Sequence, residues 1–109
     1  MINSQIVNEM ANHIVECFNP QRIIAFGSWA RGETTLDSDI DFLVVMPYEG
    51  SKRDCQVAIR RALKHFKMPK DIIVASDQEL SDFGMLNGYI YKTALSEGVV
   101  IYDEKARRD

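Results

Sequence analysis

The 109-residue chain predicts an α+β fold of mixed α/β character, a mixed sheet of about four strands covered by helices. Short apolar runs at 22–27, 39–45, 71–75 and 99–102 alternate with stretches whose apolar residues recur at helical spacing. Asp39 and Asp71 both stand at strand starts, so their carboxylates meet only if those two strands run parallel. Residues 46–69 are long enough for the helical crossover that a parallel pair needs. Ser28 stands at a strand end and meets Asp39 only if those strands are antiparallel. A sheet that satisfies both conditions is mixed.

Taken in order, Asn3 or Ser4 is suited to cap a first helix that carries Ile6, Val7, Met10, Ala11, Ile14 and Phe18 on one face. Pro20 ends this helix, and His13 within it reads as structural. The first strand, 22–27, runs into Ser28. Beyond the second strand, Met46-Pro47-Tyr48-Glu49-Gly50 breaks the pattern. Ser51 then caps a second helix over 52–66, with Cys55, Ile59, Ala62 and Phe66 on its inner face. Lys52, Arg53, Arg60, Arg61, Lys64 and Lys67 make the rest basic: a solvated face by default, and in the sharper reading a docking surface for an acidic partner. Met68-Pro69-Lys70 turns into the third strand. Ser76 or Asp77 caps a short helix near 77–82, Phe83-Gly84 interrupts, and a further helix of about 85–97 is stopped by Gly98. Tyr91 and Lys92 could face a partner. A last edge strand, 99–102, precedes a charged end expected to fray.

Composition sets the class. At 46% hydrophobic and 27% charged residues, the chain reads as one ordinary globular domain spanning 1–109, with a modest core. No apolar stretch approaches a membrane span, and no basic start with an apolar segment marks a signal peptide. Cys17 and Cys55 make neither a zinc nor a redox spacing, so a reduced, cytoplasmic protein is expected. A net charge of −3 argues against a general nucleic-acid coat, and no direct nucleic-acid binding is expected.

The chemistry concentrates at Gly27-Ser28-Trp29-Ala30-Arg31-Gly32 and Asp37-Ser38-Asp39-Ile40-Asp41-Phe42. In a strand, Asp39 and Asp41 share one face about 6.6 Å apart, while Ile40 and Phe42 take the other. Two carboxylates on one face are costly unless a cation sits between them. Aspartate oxygens are hard ligands suited to Mg²⁺. Gly27 lets backbone N–H groups and the Ser28 hydroxyl approach a phosphate closely, a helical turn starting there adds its dipole, and Arg31 lies within reach of the same anion. Trp29 is expected to pack under the loop.

Gly27-Ser28, ten residues, then Asp39-x-Asp41 resembles the signature of the DNA polymerase beta-like nucleotidyltransferase superfamily. Gly-Ser-Trp-Ala-Arg-Gly and Ser-Asp-Ile-Asp-Phe resemble its smallest branch, the minimal nucleotidyltransferases. The resemblance implies a small nucleotidyltransferase fold and a third metal-binding carboxylate on a neighbouring strand, for which Asp71 is the matching position. Asp39, Asp41 and Asp71 are then the catalytic and metal-binding set, and Gly27, Ser28 and Arg31 hold the β- and γ-phosphates. Three aspartates and a triphosphate carry more negative charge than one Mg²⁺ offsets, so two ions are expected, about 3.5–4 Å apart. The chain has no segment left to bind the acceptor. By resemblance the partner is a toxin of the HEPN RNase class, and the chain is its antitoxin, adding AMP from ATP to a toxin tyrosine. Two other readings stay open: transfer to a small molecule of the aminoglycoside type, and a non-catalytic antitoxin that masks its partner.

Overall fold

Unbroken apolar strands need cover on both faces, and this chain supplies it. The computed structural model describes residues 4–33 and 39–107; the expected cap at Asn3 lies outside them. The elements are α1 (Ser4–Phe18), β1 (Arg22–Phe26), β2 (Ile40–Val45), α2 (Lys52–Ala62), β3 (Lys70–Ala75), α3 (Asp77–Phe83), α4 (Ile90–Glu97), β4 (Val99–Asp103) and a closing 3₁₀ turn, Glu104–Arg107. The four-stranded sheet has the order β3-β2-β1-β4. β1 lies antiparallel to β2 and β4, while β2 and β3 run parallel, so the mixed sheet required by the aspartates and Ser28 is the one that forms.

One face of the sheet packs Ile23, Ala25, Phe42, Val44, Ile72 and Val74 against Val7, Met10 and Ile14 of α1 and Ile59 of α2. The other packs Ile24, Phe26, Leu43, Val45 and Ala75 against Leu80 of α3 and Tyr91 and Ala94 of α4. Trp29 lies partly buried against the first cluster, as expected. His13 stands edge-on to His65, ring centroids 5.1 Å apart, at the seam between α1 and the end of α2.

Several boundaries differ from the sequence expectation. α2 ends at Ala62 rather than 66, because the Leu63 amide closes the helix and residues 63–66 continue as turns. The expected helix over 85–97 begins only at Ile90; Leu86 and Tyr89 accept or donate turn hydrogen bonds instead, after Gly84 has closed α3. Gly98 does end α4, but not by a left-handed cap. Its φ is −78°, and a Cβ there would meet Ala94 O at 2.3 Å and Ile24 Cγ2 at 2.4 Å; close packing on β1 demands the glycine. Tyr91 is not a partner-facing residue: only 7% of it is exposed. Residues 104–107 form a 3₁₀ turn where fraying was expected. No described helix is long and apolar enough to cross a membrane.

The α3–α4 layer is tied to α2 by a polar knot. Lys52 donates to the Glu79 carboxylate and, at 2.6 Å, to the Tyr91 hydroxyl. The Tyr48 hydroxyl donates to Glu79 at 3.0 Å, and Ser76 and Glu79 form a reciprocal capping box at the start of α3. Burial pushes the Glu79 carboxyl up, but the hydrogen bonds from Lys52, the Ser76 amide and Tyr48 outweigh it, and the net shift is downward. A carboxylate whose pKa falls on folding adds stability above its unfolded pKa and loses it as pH falls through the folded one. Glu79→Ala is therefore expected to cost about 2–3 kcal/mol at pH 7, a deficit that shrinks below the ordinary carboxylate range. Urea unfolding of both proteins across that pH range measures it.

Candidate active site

The register of β2 and β3 brings the acids together. Asp41 pairs with Phe26 of β1 on one side and directly with Asp71 of β3 on the other. Neighbouring strands lie about 4.8 Å apart, and directly paired residues share a face. By alternation that face is the one carrying Leu43, Val45, Ile73 and Ala75, and Asp39 joins it two residues before Asp41. The mouths of two parallel strands thus carry an acidic edge, with the end of β1 beside it.

Asp41 is the group under strain. Its carboxyl pKa lies above the ordinary value, first because burial penalises its charge, then because Asp71 and Asp39 add like charge. Arg31 opposes the shift without cancelling it. Gly27 is backed directly against this carboxylate. Its φ is +85°, and a Cβ on it would stand 2.1 Å from Asp41 Oδ2. Both the left-handed backbone and the close approach require glycine.

After Gly27 the chain makes a single helical turn. The Arg31 amide donates to Gly27 O at 3.2 Å, the Gly32 amide to Trp29 O at 3.1 Å, and the Glu33 amide to Ser28 O at 3.0 Å. Ser28 opens this turn, where the leading N–H groups have no acceptor within it. Arg31 lies on the turn but points to carboxylates of its own surroundings. Its guanidinium donates to both Glu33 oxygens at 3.2 Å, and a weaker pair at 3.9 Å reaches Glu97 at the end of α4. Arg31 is thus engaged chiefly by Glu33 of its own turn, with Glu97 at the edge of ion-pair range.

Asp71 is held elsewhere. Its carboxylate accepts from Arg60 of α2 at 2.6 Å and from its own chain at the Ile72 amide, 3.1 Å away. Both partners are 57% exposed, so the pair is solvent-screened and weak. Among the described residues, no three aspartate, glutamate, histidine or cysteine side chains stand together as a metal site. The register sets Asp41 beside Asp71, and the Asp71 carboxylate is turned to Arg60. Like charges repel without a cation between them, and Arg60 draws the outermost one to the sheet edge. The donor set nevertheless fits a hard divalent ion, being all carboxylate oxygen around a group whose charge is disfavoured first by burial and then by Asp71 and Asp39.

Sequence reasoning missed Arg60, Glu33 and Glu97. Arg60 was read only as part of a basic face. Its position eleven residues before Asp71, on a crossover helix that must lie over the same strands, is the signal that could have found it. A groove of about 220 Å³ beside Asp71 is lined by Arg53, Gln56, Val57, Arg60, Asp71 and Ile72. Two hollows of about 310 Å³, one beside Gln21 and Arg22 and one beside Asn12 and Val100, are lined by none of the three aspartates.

Residues 7–101 match the family described as the nucleotidyltransferase domain. No curated protein matches the chain. Among solved structures, a protein of Sulfolobus solfataricus assigned as a nucleotidyltransferase is similar at a TM-score of 0.64 and 21% identity, over 93% of this chain and 80% of that one. A toxin–antitoxin structure with AMP-PNP is similar at a TM-score of 0.63 and 12% identity, over 92% of this chain and 76% of that one. At these identities the likeness is one of fold, the small nucleotidyltransferase fold.

Two outcomes follow from Asp41 and Gly27. The raised folded pKa means that ionised Asp41 costs stability at neutral pH, a cost relieved as pH falls through that value toward the ordinary carboxylate range. Asp41→Asn is therefore expected to raise the Tm by a few degrees at pH 7–8, with the gain shrinking on acidification, read by thermal melts over a pH series. Gly27→Ala is expected to lose about 1–2 kcal/mol from backbone strain alone, with the clash against Asp41 added, read by urea unfolding.

Proposed function

The chain belongs to the nucleotidyltransferase domain family, and from that premise we propose that it transfers AMP from ATP to a hydroxyl acceptor with release of pyrophosphate. In this reading it is an antitoxin, and the acceptor is a tyrosine of a HEPN-class RNase toxin. One observation carries the reading: Asp41 and Asp71 stand in direct register at the mouths of parallel strands, with Gly27 backed against the Asp41 carboxylate. The antitoxin half is supported by the likeness in fold to a toxin–antitoxin structure.

The geometry suggests how the work is divided. The Gly27 backbone and the Ser28 hydroxyl, at the start of the turn after β1, hold the β- and γ-phosphates. Arg31 joins them by exchanging Glu33 and Glu97 for a phosphate, a swap of like anions that charge-assisted hydrogen bonding favours. Asp39, Asp41 and Asp71 are the residues that would hold Mg²⁺, which when bound offsets the negative charge of carboxylates and triphosphate and polarises phosphoryl oxygens. Asp71 lies on the outer strand, nearest an incoming acceptor. Released from Arg60, its carboxylate takes the proton from the acceptor hydroxyl. The acceptor oxygen forms a bond to the α-phosphorus in line with the departing group. The bond from that phosphorus to the bridging oxygen breaks, and pyrophosphate leaves with the electron pair. Positioning and fixed charge do most of the work.

Incubation with α-labelled ATP, Mg²⁺ and a candidate toxin, followed by mass measurement of the toxin, tests the reading. A gain of one AMP on a tyrosine is the expected result, and an unchanged toxin counts against it. Asp39→Asn and Asp41→Asn are each expected to slow transfer on the order of 10²–10³-fold or more while the far-ultraviolet circular dichroism stays that of the parent. If neutralisation of the toxin survives these changes, masking and not transfer is the mechanism.

A further inference from the structure

Charge in this chain is unevenly placed. The whole carries −3, yet seven of its 13 lysines and arginines fall within residues 52–70, with Asp54 the single acid among them. Two of the seven are matched internally, Lys52 by Glu79 and Arg60 by Asp71. Lys70 is turned inward, donating to the carbonyls of Phe66 and Met68. Arg53, Arg61, Lys64 and Lys67 are left exposed. Positions 53, 57 and 61 follow the spacing of four that lays side chains along one helix face, Lys64 follows in the turn just past the end of α2, and Val57 stands in the middle of the stripe, 44% exposed.

This stripe borders the groove that ends on Asp71. β3 is an edge strand, but its outward amides are already occupied. The Ile72 amide donates to Asp71 and the Val74 amide to Gln56 Oε1 at 2.9 Å. A visiting chain therefore cannot simply add a strand here, and side chains must hold it. The ridge already shows what it accepts, because the Arg60–Asp71 contact at 2.6 Å is a carboxylate seated on an α2 arginine. An apolar centre with an arginine rim is the anatomy of a protein interface. The groove's lining residues include no aromatic ring on which a nucleotide base would stack.

We propose that the acceptor is a protein that docks an acidic segment on the α2 ridge of Arg53, Val57, Arg61 and Lys64, delivering its hydroxyl along the groove to Asp71. The proposal deepens the transfer reading and rests on it for the identity of the docked molecule as acceptor. Carboxylates of the segment replace Asp71 on Arg60, so docking frees Asp71 for the reaction it adjoins.

The test uses the full chain and three fluorescent probes: a random Glu/Tyr copolymer, a Lys/Tyr copolymer of equal length, and polyuridylate. Anisotropy is expected to show binding of the Glu/Tyr copolymer that weakens with added salt, and little binding of the Lys/Tyr copolymer. The triple variant Arg53→Glu, Arg61→Glu, Lys64→Glu is expected to weaken that binding at least about tenfold. Single Arg61→Glu serves as a milder variant should the triple one melt early. The proposal is overturned if the charge-reversed proteins bind the Glu/Tyr copolymer as the parent does, or if the parent does not prefer it to the Lys/Tyr copolymer. Tighter binding of polyuridylate overturns it in favour of a nucleic-acid ridge. ATP binding, measured alongside by calorimetry on parent and triple variant, is expected to be equal in the two. Absent ATP binding in the parent sinks the transfer reading while leaving the ridge's preference for acidic chains to be judged by the probes.

Discussion

The structure turns on one half-buried carboxylate in a field of its own sign. Asp41 is desolvated by the sheet and flanked by Asp39 and Asp71, so its ionised form is held at a cost. Local features around it act on that cost. Gly27 adopts a left-handed backbone and presents no Cβ, because anything larger would occupy the carboxylate's space. Arg31 sits close enough to relieve Asp41 in part, but is itself anchored to Glu33 and Glu97. Arg60 pairs with Asp71 at 2.6 Å on the exposed side of β3, and Asp71 still counts among the like charges that act on Asp41. Burial and like charge together outweigh the relief that Arg31 gives Asp41.

Two hydrophobic layers make such a site tolerable. The α1–α2 face and the α3–α4 face bury opposite sides of β1 and β2, fixing the strand register against a slip that would turn every side chain over. The acids stand at the ends of the strands, where burial gives out. The polar knot of Tyr48, Lys52, Glu79 and Tyr91 holds the α3–α4 layer to α2. A site built on strand ends and packed from both faces has its backbone set by the sheet register.

Much of this was legible in the residues. The strands announced themselves as apolar runs, since strands covered on both faces have no polar side to show. Ser51 and Ser76 could be read as caps because an oxygen three residues before an amide is a local geometric fact. The same locality explains the errors. The segment 85–89 reads as one with the helix after it, but Asn87-Gly88 turns the chain, with Gly88 at φ +91°, and Met85 and Leu86 lie exposed before it. Tyr91 looked outward by its polarity, yet Lys52 and Glu79, distant in sequence, give its hydroxyl partners and allow the ring to bury. Gly98 looked like a helix stop, and its reason proved to be the proximity of β1.

The sequence by itself determined the mixed sheet, its strands and the acids at their mouths. Strand alternation, crossover length and the expense of unpaired charge are properties of neighbouring residues and of general chemistry. Only the tertiary structure decided what each charged side chain does when the fold is complete. It set Arg31 on Glu33 and Glu97 and Arg60 on Asp71. Those choices depend on which helix lies against which strand edge, and on how much solvent each group loses there. Coulombic energy is set by distance and burial in space, and the order of residues along a chain fixes neither until the chain has folded.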